Sequence, residues 1–250
     1  MPPRPGVLPA RQAAAIAGAA YLITDATSIF SEFFVRATLI VSGDAARTAS
    51  NIVAHAQLFR LSIVCDLLGC AGVVILNLAL YELLAPVHRS LARLAALWRL
   101  MEIAMIGAMT VSSLVALSLL TGGAAYLQAF RPRELQALAR LFLGAQTSGF
   151  MIALLFFGLG STTYMVLLVR SRYVPKALAL LGLAGSALTV LFVLTRMLFP
   201  ALVVAAFAAV RALPTVALAS LAVLVVPILS FEITLGLWLL VKGVRIPEQA

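Results

Sequence analysis

The stretch LFRLSIVCDLLGCAGVVILNLALYELL, Leu58–Leu84, is apolar along almost its whole length, with Arg60, Asp66 and Glu82 as its charged residues. Pro86 stops it, with His88 and Arg89 behind. A helix needs about 20 apolar residues to cross the ~30 Å hydrocarbon core of a bilayer. The stretch therefore reads as a transmembrane helix, and the rest of the chain repeats the pattern.

The chain has 250 residues, 63% of them hydrophobic and 11% charged. A soluble domain has about 45–50% apolar and about 25% charged residues. A mean hydropathy of +1.11 leaves too little polar surface to clothe a soluble globule. This excludes a soluble enzyme, a disordered chain and a free-standing nucleic-acid-binding domain. The fold class expected is all-α, a single bundle of six transmembrane helices with one or two short interfacial helices.

Around Leu58–Leu84 the other apolar runs fall into place. The first is Ala13 to Leu39, holding Asp25, Glu32 and Arg36, and a polar amphipathic link runs from Ser42 to Gln57. The third, Leu94 to Leu120, closes at Thr121-Gly122-Gly123. Leu135, Leu138, Leu141, Phe142 and Ala145 then predict a short interfacial helix leading into the fourth run, which ends at Arg170-Ser171-Arg172. The fifth is Val174 to Leu198, bounded by Pro200. Ala201 to Leu213 forms an apolar connector, and Thr215 to Val241 is a sixth run with a kink or break expected near Pro227. Residues 1–12 form a basic, Pro-rich segment, 13–244 the transmembrane domain and 245–250 a short tail.

A formal charge of +9 arises from 18 Lys and Arg against 9 Asp and Glu. The cations flank apolar runs, so they read as topology signals and contacts to anionic lipid heads rather than as a nucleic-acid surface. Arg4, Arg11, Arg89, Arg93, Arg170, Arg172, Lys176, Lys242 and Arg245 fall on one side of six spans. Arg47, Arg131, Arg133, Arg140 and Arg211 fall on the other. The excess belongs inside, which predicts both termini on the cytoplasmic face of the inner membrane. Cys65 and Cys70 are five residues apart, which turns a helix through about 500° and separates the thiols. Neither a disulfide nor a metal site follows, and no motif implies a cofactor.

Charge inside the spans is the functional signal, because even a mild insertion scale sets its cost at about +2.5–3.5 kcal/mol at the bilayer centre. Apart from Glu82 at a span end, these residues are Asp25, Glu32, Arg36, Arg60, Asp66, Arg99, Glu102, Arg196 and Glu232. They must face the interior or a watery cavity, and most must pair. Asp25, Glu32 and Arg36 share one helix face, and Arg99 and Glu102 are i,i+3 neighbours. Arg36 and Arg60 are expected to neutralise Glu32 and Asp66 in one cluster. Glu232, flanked by Ser230 and Thr234, is expected inside the bundle near Pro227. Glu32, Arg36, Arg60, Asp66, Arg99, Glu102 and Glu232 are thus the ligand or proton-path candidates. Gly158 and Gly160 mark close helix packing.

Several segments carry a resemblance. Ala20-Tyr21-Leu22-Ile23-Thr24, Ser31-Glu32-Phe33-Phe34-Val35-Arg36, Leu58-Phe59-Arg60-Leu61 and Leu80-Tyr81-Glu82-Leu83-Leu84 lie in the first half. Phe156-Phe157-Gly158-Leu159, Ser171-Arg172-Tyr173-Val174-Pro175 and Leu235-Gly236-Leu237-Trp238-Leu239 lie in the second. Together they resemble a bacterial membrane-protein family catalogued as domain of unknown function 4386, from about Ala13 to Val244. The resemblance implies topology but no activity. It also implies an Asp and a His where Gly144 and Gln146 stand, and an acid where Phe192 stands. Two functional classes remain open. One is a protein that binds a lipophilic or small-molecule ligand in a polar intramembrane cavity, transporter-like or an intramembrane enzyme. The other is a structural or accessory subunit whose charges only fix packing. Membrane lipids are the expected partners, with no nucleic acid.

Overall fold

In a computed structural model of the chain, residues 8–122, 130–211 and 219–244 are described, with side chains omitted for 206–227. Helix starts follow local chemistry. Pro132 opens one helix and Pro200 another, at positions where the missing N–H costs nothing. Glu134 Oε2 accepts from the Arg131 backbone N–H at 2.8 Å, closing the turn that begins Pro132–Ser171. Asp44 caps the helix Ala45–Ala54 by accepting from the Arg47 N–H at 2.8 Å. That short helix fills much of the link expected between the first two apolar runs.

The described residues are helical with no strand. Four helices are long and apolar enough to cross a membrane: Ala10–Leu39, Ala56–Thr121, Pro132–Ser171 and Lys176–Leu198. Ala56–Thr121 has 66 residues, about 100 Å of helix and some three times the hydrocarbon thickness. It folds at His88, whose φ of −162° and ψ of 96° leave the helical region. His88 Nδ1 accepts from the Leu91 N–H at 3.2 Å and so starts the second arm. Asn77 Nδ2 donates to the Ala96 carbonyl at 3.2 Å, so within the segment 72–102 the chain runs back along itself on either side of His88. The expected link around Pro86 is thus a single residue. The helix Ala219–Val241 follows the connector helix Pro200–Arg211.

Two local expectations need correction. The interfacial helix over residues 135–145 is not separate from the fourth run, because Pro132–Ser171 is one helix of 40 residues. Nothing between Ala145 and Gly149 breaks it, since the Thr147 and Ser148 hydroxyls bond back to the Leu143 and Gly144 carbonyls within the helix. Helix also continues through Pro227, where a kink or a break was expected, which excludes the break. Residues 1–7 of the basic segment expected over 1–12, the stretch 212–218 and the tail 245–250 lie outside the described residues.

Contacts group the chain into two units. One draws on Met1–Leu22, Gly72–Glu102 and Ile152–Ala250, the other on Ile23–Ala71 and Ile103–Met151. In the first, Leu76, Leu80, Leu84, Tyr164, Leu168, Leu235 and Leu239 form a core. There Gly18 meets Gly236 so closely that a Cβ on Gly18 would lie 2.5 Å from the Gly236 carbonyl oxygen. Such small-residue crossings are how helices approach where no hydrophobic effect drives them together. In the second unit Val35, Ile52, Phe59, Ile63, Ala116 and Leu143 form the core.

Candidate charged clusters within the helices

The second unit builds a cluster from a change in helix type. Phe30–Arg36 is a π-helical turn inside the first apolar helix, with the Ala37 N–H bonded to the Glu32 carbonyl. In a straight α-helix, residues five apart lie about 140° from each other around the axis. The π turn brings Ser31 and Arg36 together across that spacing, and Arg36 Nη1 donates to Ser31 Oγ at 2.5 Å. The same nitrogen donates to Glu32 Oε1 at 2.8 Å and to Asp66 Oδ1 at 3.2 Å. Arg36 Nη2 donates to Asp66 Oδ2, and Ser31 Oγ donates to Asp66 Oδ1 at 2.6 Å. Arg36 and Asp66 are almost fully buried, whereas the Glu32 side chain is 33% exposed. Two carboxylates therefore converge on one guanidinium, a formal excess of one negative charge when all three are ionised. Single π turns occur often at functional sites.

Arg60 does not join this cluster. It is exposed, and its side chain makes no ion pair among the described residues. Asp66 lies six positions further along the helix, which places the two about 120° apart. Arg36 alone takes the role expected of both arginines. Arg196 is also exposed, near the end of its helix. Asp25 is buried in the same unit as the cluster.

The first unit holds the second cluster. Arg99 Nη1 lies 2.9 Å from Glu102 Oε2, the pair expected from the i,i+3 spacing, with both side chains at most 7% exposed. The angles do not align as a hydrogen bond, so the contact is an ion pair. The Arg99 guanidinium also lies over the Phe157 ring, 5.0 Å from its centre. Its stem crosses Gly160, where a Cβ would sit 2.9 Å from Arg99 Cγ and Cδ. The close packing expected at Gly160 thus makes room for an arginine. Glu232 is buried, as expected, and lies within electrostatic reach of Arg99. Tyr164 completes the surroundings by donating its hydroxyl to Asn77 Oδ1 at 2.6 Å.

Sequence reading missed Ser31, Asn77 and Tyr164. Ser31 was visible beside Glu32, but only the π turn brings it to Arg36. Asn77 stands out in its apolar run, whereas nothing local marks Tyr164.

Burial is inverted relative to a soluble protein. Asp25, Arg36, Arg99, Glu102 and Glu232 are buried, while Leu61, Val64, Leu67 and Leu68 are about half exposed. Apolar side chains turned outward around charged groups turned inward belong to a protein whose solvent is lipid. The chain is a helical membrane-embedded protein. The family model described as Domain of unknown function (DUF4386) matches residues 16–243, and the chain belongs to that family. Among curated proteins and among solved structures nothing matches it. Of the two positions where the resemblance implied an Asp and a His, Gly144 is exposed and Gln146 buried, so they face different surroundings.

Proposed function

We propose that the chain is a six-span inner-membrane protein, with both termini in the cytoplasm, that takes up and releases a proton at the Glu32–Arg36–Asp66 cluster. Two spans come from the arms of Ala56–Thr121 and the sixth from Ala219–Val241. The observation that carries the functional reading is the two-to-one ratio of carboxylates to guanidinium. A net charge held among helices in lipid is costly, and a proton shared by the two acids removes it. Glu32, the more exposed acid, gives the cluster its route to the outside, while Ser31 ties Asp66 to the turn that carries Arg36. A proton held this way is the coupling ion a carrier of a small or lipophilic solute needs.

Infrared titration of the full chain in lipid nanodiscs tests this. The expected result is one protonated-carboxyl band that disappears as pH rises and is absent from both Glu32→Gln and Asp66→Asn. A band unchanged in both variants, or no titrating carboxyl band, overturns the reading. The second reading, an accessory subunit fixed by buried charge, draws on Arg99 and Glu102. That ion pair is sealed by Phe157 and Gly160, which suits a lock between helices.

A further inference from the structure

The first unit contains a recess that the cluster on the π turn does not touch. It measures about 10 Å³ and is lined by Ser161, Ser186 and Glu232, with Phe157, Ile228 and Phe231 forming apolar wall. Holding one water requires about 10–15 Å³ by this measure and two to four polar partners. The polar lining meets that requirement in number and in hydrogen-bond type.

The Ser186 hydroxyl donates to the Gly182 carbonyl at 2.7 Å and accepts from Thr162 Oγ1 at 3.1 Å. A hydroxyl oxygen has two acceptor positions, so Ser186 can still accept one bond. The Ser161 hydroxyl, which has no hydrogen-bond partner among the described residues, can donate. The Glu232 carboxylate accepts. A water molecule donates twice and accepts up to twice, so it can donate to Glu232 and Ser186 while accepting from Ser161. A sodium ion of similar size fits less well, since the Arg99 guanidinium already acts on the same carboxylate.

The geometry points to a binding site for one internal water molecule between Glu232, Ser161 and Ser186. Its role is to hydrate a carboxylate that the helices otherwise seal from solvent. Glu232 then has a hydrogen-bond donor at hand that does not depend on the Glu32–Arg36–Asp66 cluster.

The test compares infrared spectra of the full chain in nanodiscs in ordinary water and in water enriched with oxygen-18. The wild type should show an isotope-shifted stretch from one hydrogen-bonded water, and Ser161→Val, whose methyls fill the recess, should lose it. Glu232→Gln should move the band to higher frequency, because a neutral amide accepts more weakly than a carboxylate. If Ser161→Val does not fold, Ser161→Ala keeps the recess, removes the donor and should also shift the band upward. A band unchanged in these variants, or absent from the wild type, overturns the proposal. A carboxylate band that shifts when sodium replaces potassium assigns the recess to a cation and overturns it as well.

Discussion

Arg36 is the residue on which the second unit depends most, because three acceptor side chains converge on its two terminal nitrogens. Removing one partner of a buried pair costs about 3–5 kcal/mol, since the remaining charge stays buried without compensation. Arg36→Gln, which leaves two carboxylates, should therefore unfold at clearly lower denaturant than Asp66→Asn, which leaves one acid for one arginine. Equal midpoints for the two variants would show that charge balance is not what matters there. Arg60→Gln should leave the midpoint near that of the wild type, its side chain being exposed. A second comparison concerns Gly160. The Cβ of Gly160→Ala would press on the Arg99 stem and should cost about 1–3 kcal/mol. In an Arg99→Ala, Glu102→Ala background the same change should cost much less, and an unchanged cost would remove Arg99 as the cause. The candidate charges themselves were legible in the sequence because lipid makes each one conspicuous. Their partners were less so. The i,i+3 pair Arg99–Glu102 is fixed within one helix and was readable, whereas the choice of Arg36 over Arg60 depends on facing between helices that spacing along one run does not specify.

The π turn Phe30–Arg36 is where an element, rather than a residue, makes the site. Deleting Phe34, which is 65% exposed, removes the extra residue of the turn, so the segment should relax to α-helix with Ser31 and Arg36 four residues apart and still on one face. The deletion should therefore keep the cluster, and adding Arg36→Gln to it should cost about as much as in the full-length chain. A much smaller cost of Arg36→Gln after the deletion would mean that only the π turn holds the cluster. A separate pair of glycines tests helix packing in the first unit. Gly182→Ala would put a Cβ 2.3 Å from the Phe231 ring and should destabilise by about 1–3 kcal/mol. Gly107→Ala meets nothing within 4 Å and should instead stabilise by roughly 0.5–1 kcal/mol. Thermal midpoints in nanodiscs that put the two variants in the reverse order would contradict the packing described. Apolar runs and proline stops made most helices legible, since length and hydropathy report directly on a lipid-facing helix. The π turn left no such mark: FSEFFVR has the composition of an ordinary apolar helix with two charges, and its hydrogen-bond pattern depends on what the side chains reach. His88 was likewise hidden, because Pro86 is the stronger breaker by rule while the backbone turns two residues later.

At the scale of the whole molecule, an apolar exterior and buried charge make sense only if the long helices lie in lipid, and the proposal adds that the chain crosses six times. On the proposed orientation, drawn from the cation bias, the links around Arg89 and Lys176 lie inside and those around Ser42 and Arg131 outside. Each of these four residues is exposed, so each accepts a reporter without disturbing a core. The direct measurement replaces Cys65 and Cys70 with Ala, introduces one cysteine at a time at Ser42, Arg89, Arg131 or Lys176, and applies a membrane-impermeant maleimide to right-side-out vesicles. The account predicts labelling of intact vesicles at Ser42→Cys and Arg131→Cys, and labelling of Arg89→Cys and Lys176→Cys only after the membrane is opened. Labelling of Arg89→Cys or Lys176→Cys in intact vesicles, or protection of Ser42→Cys or Arg131→Cys, would contradict it.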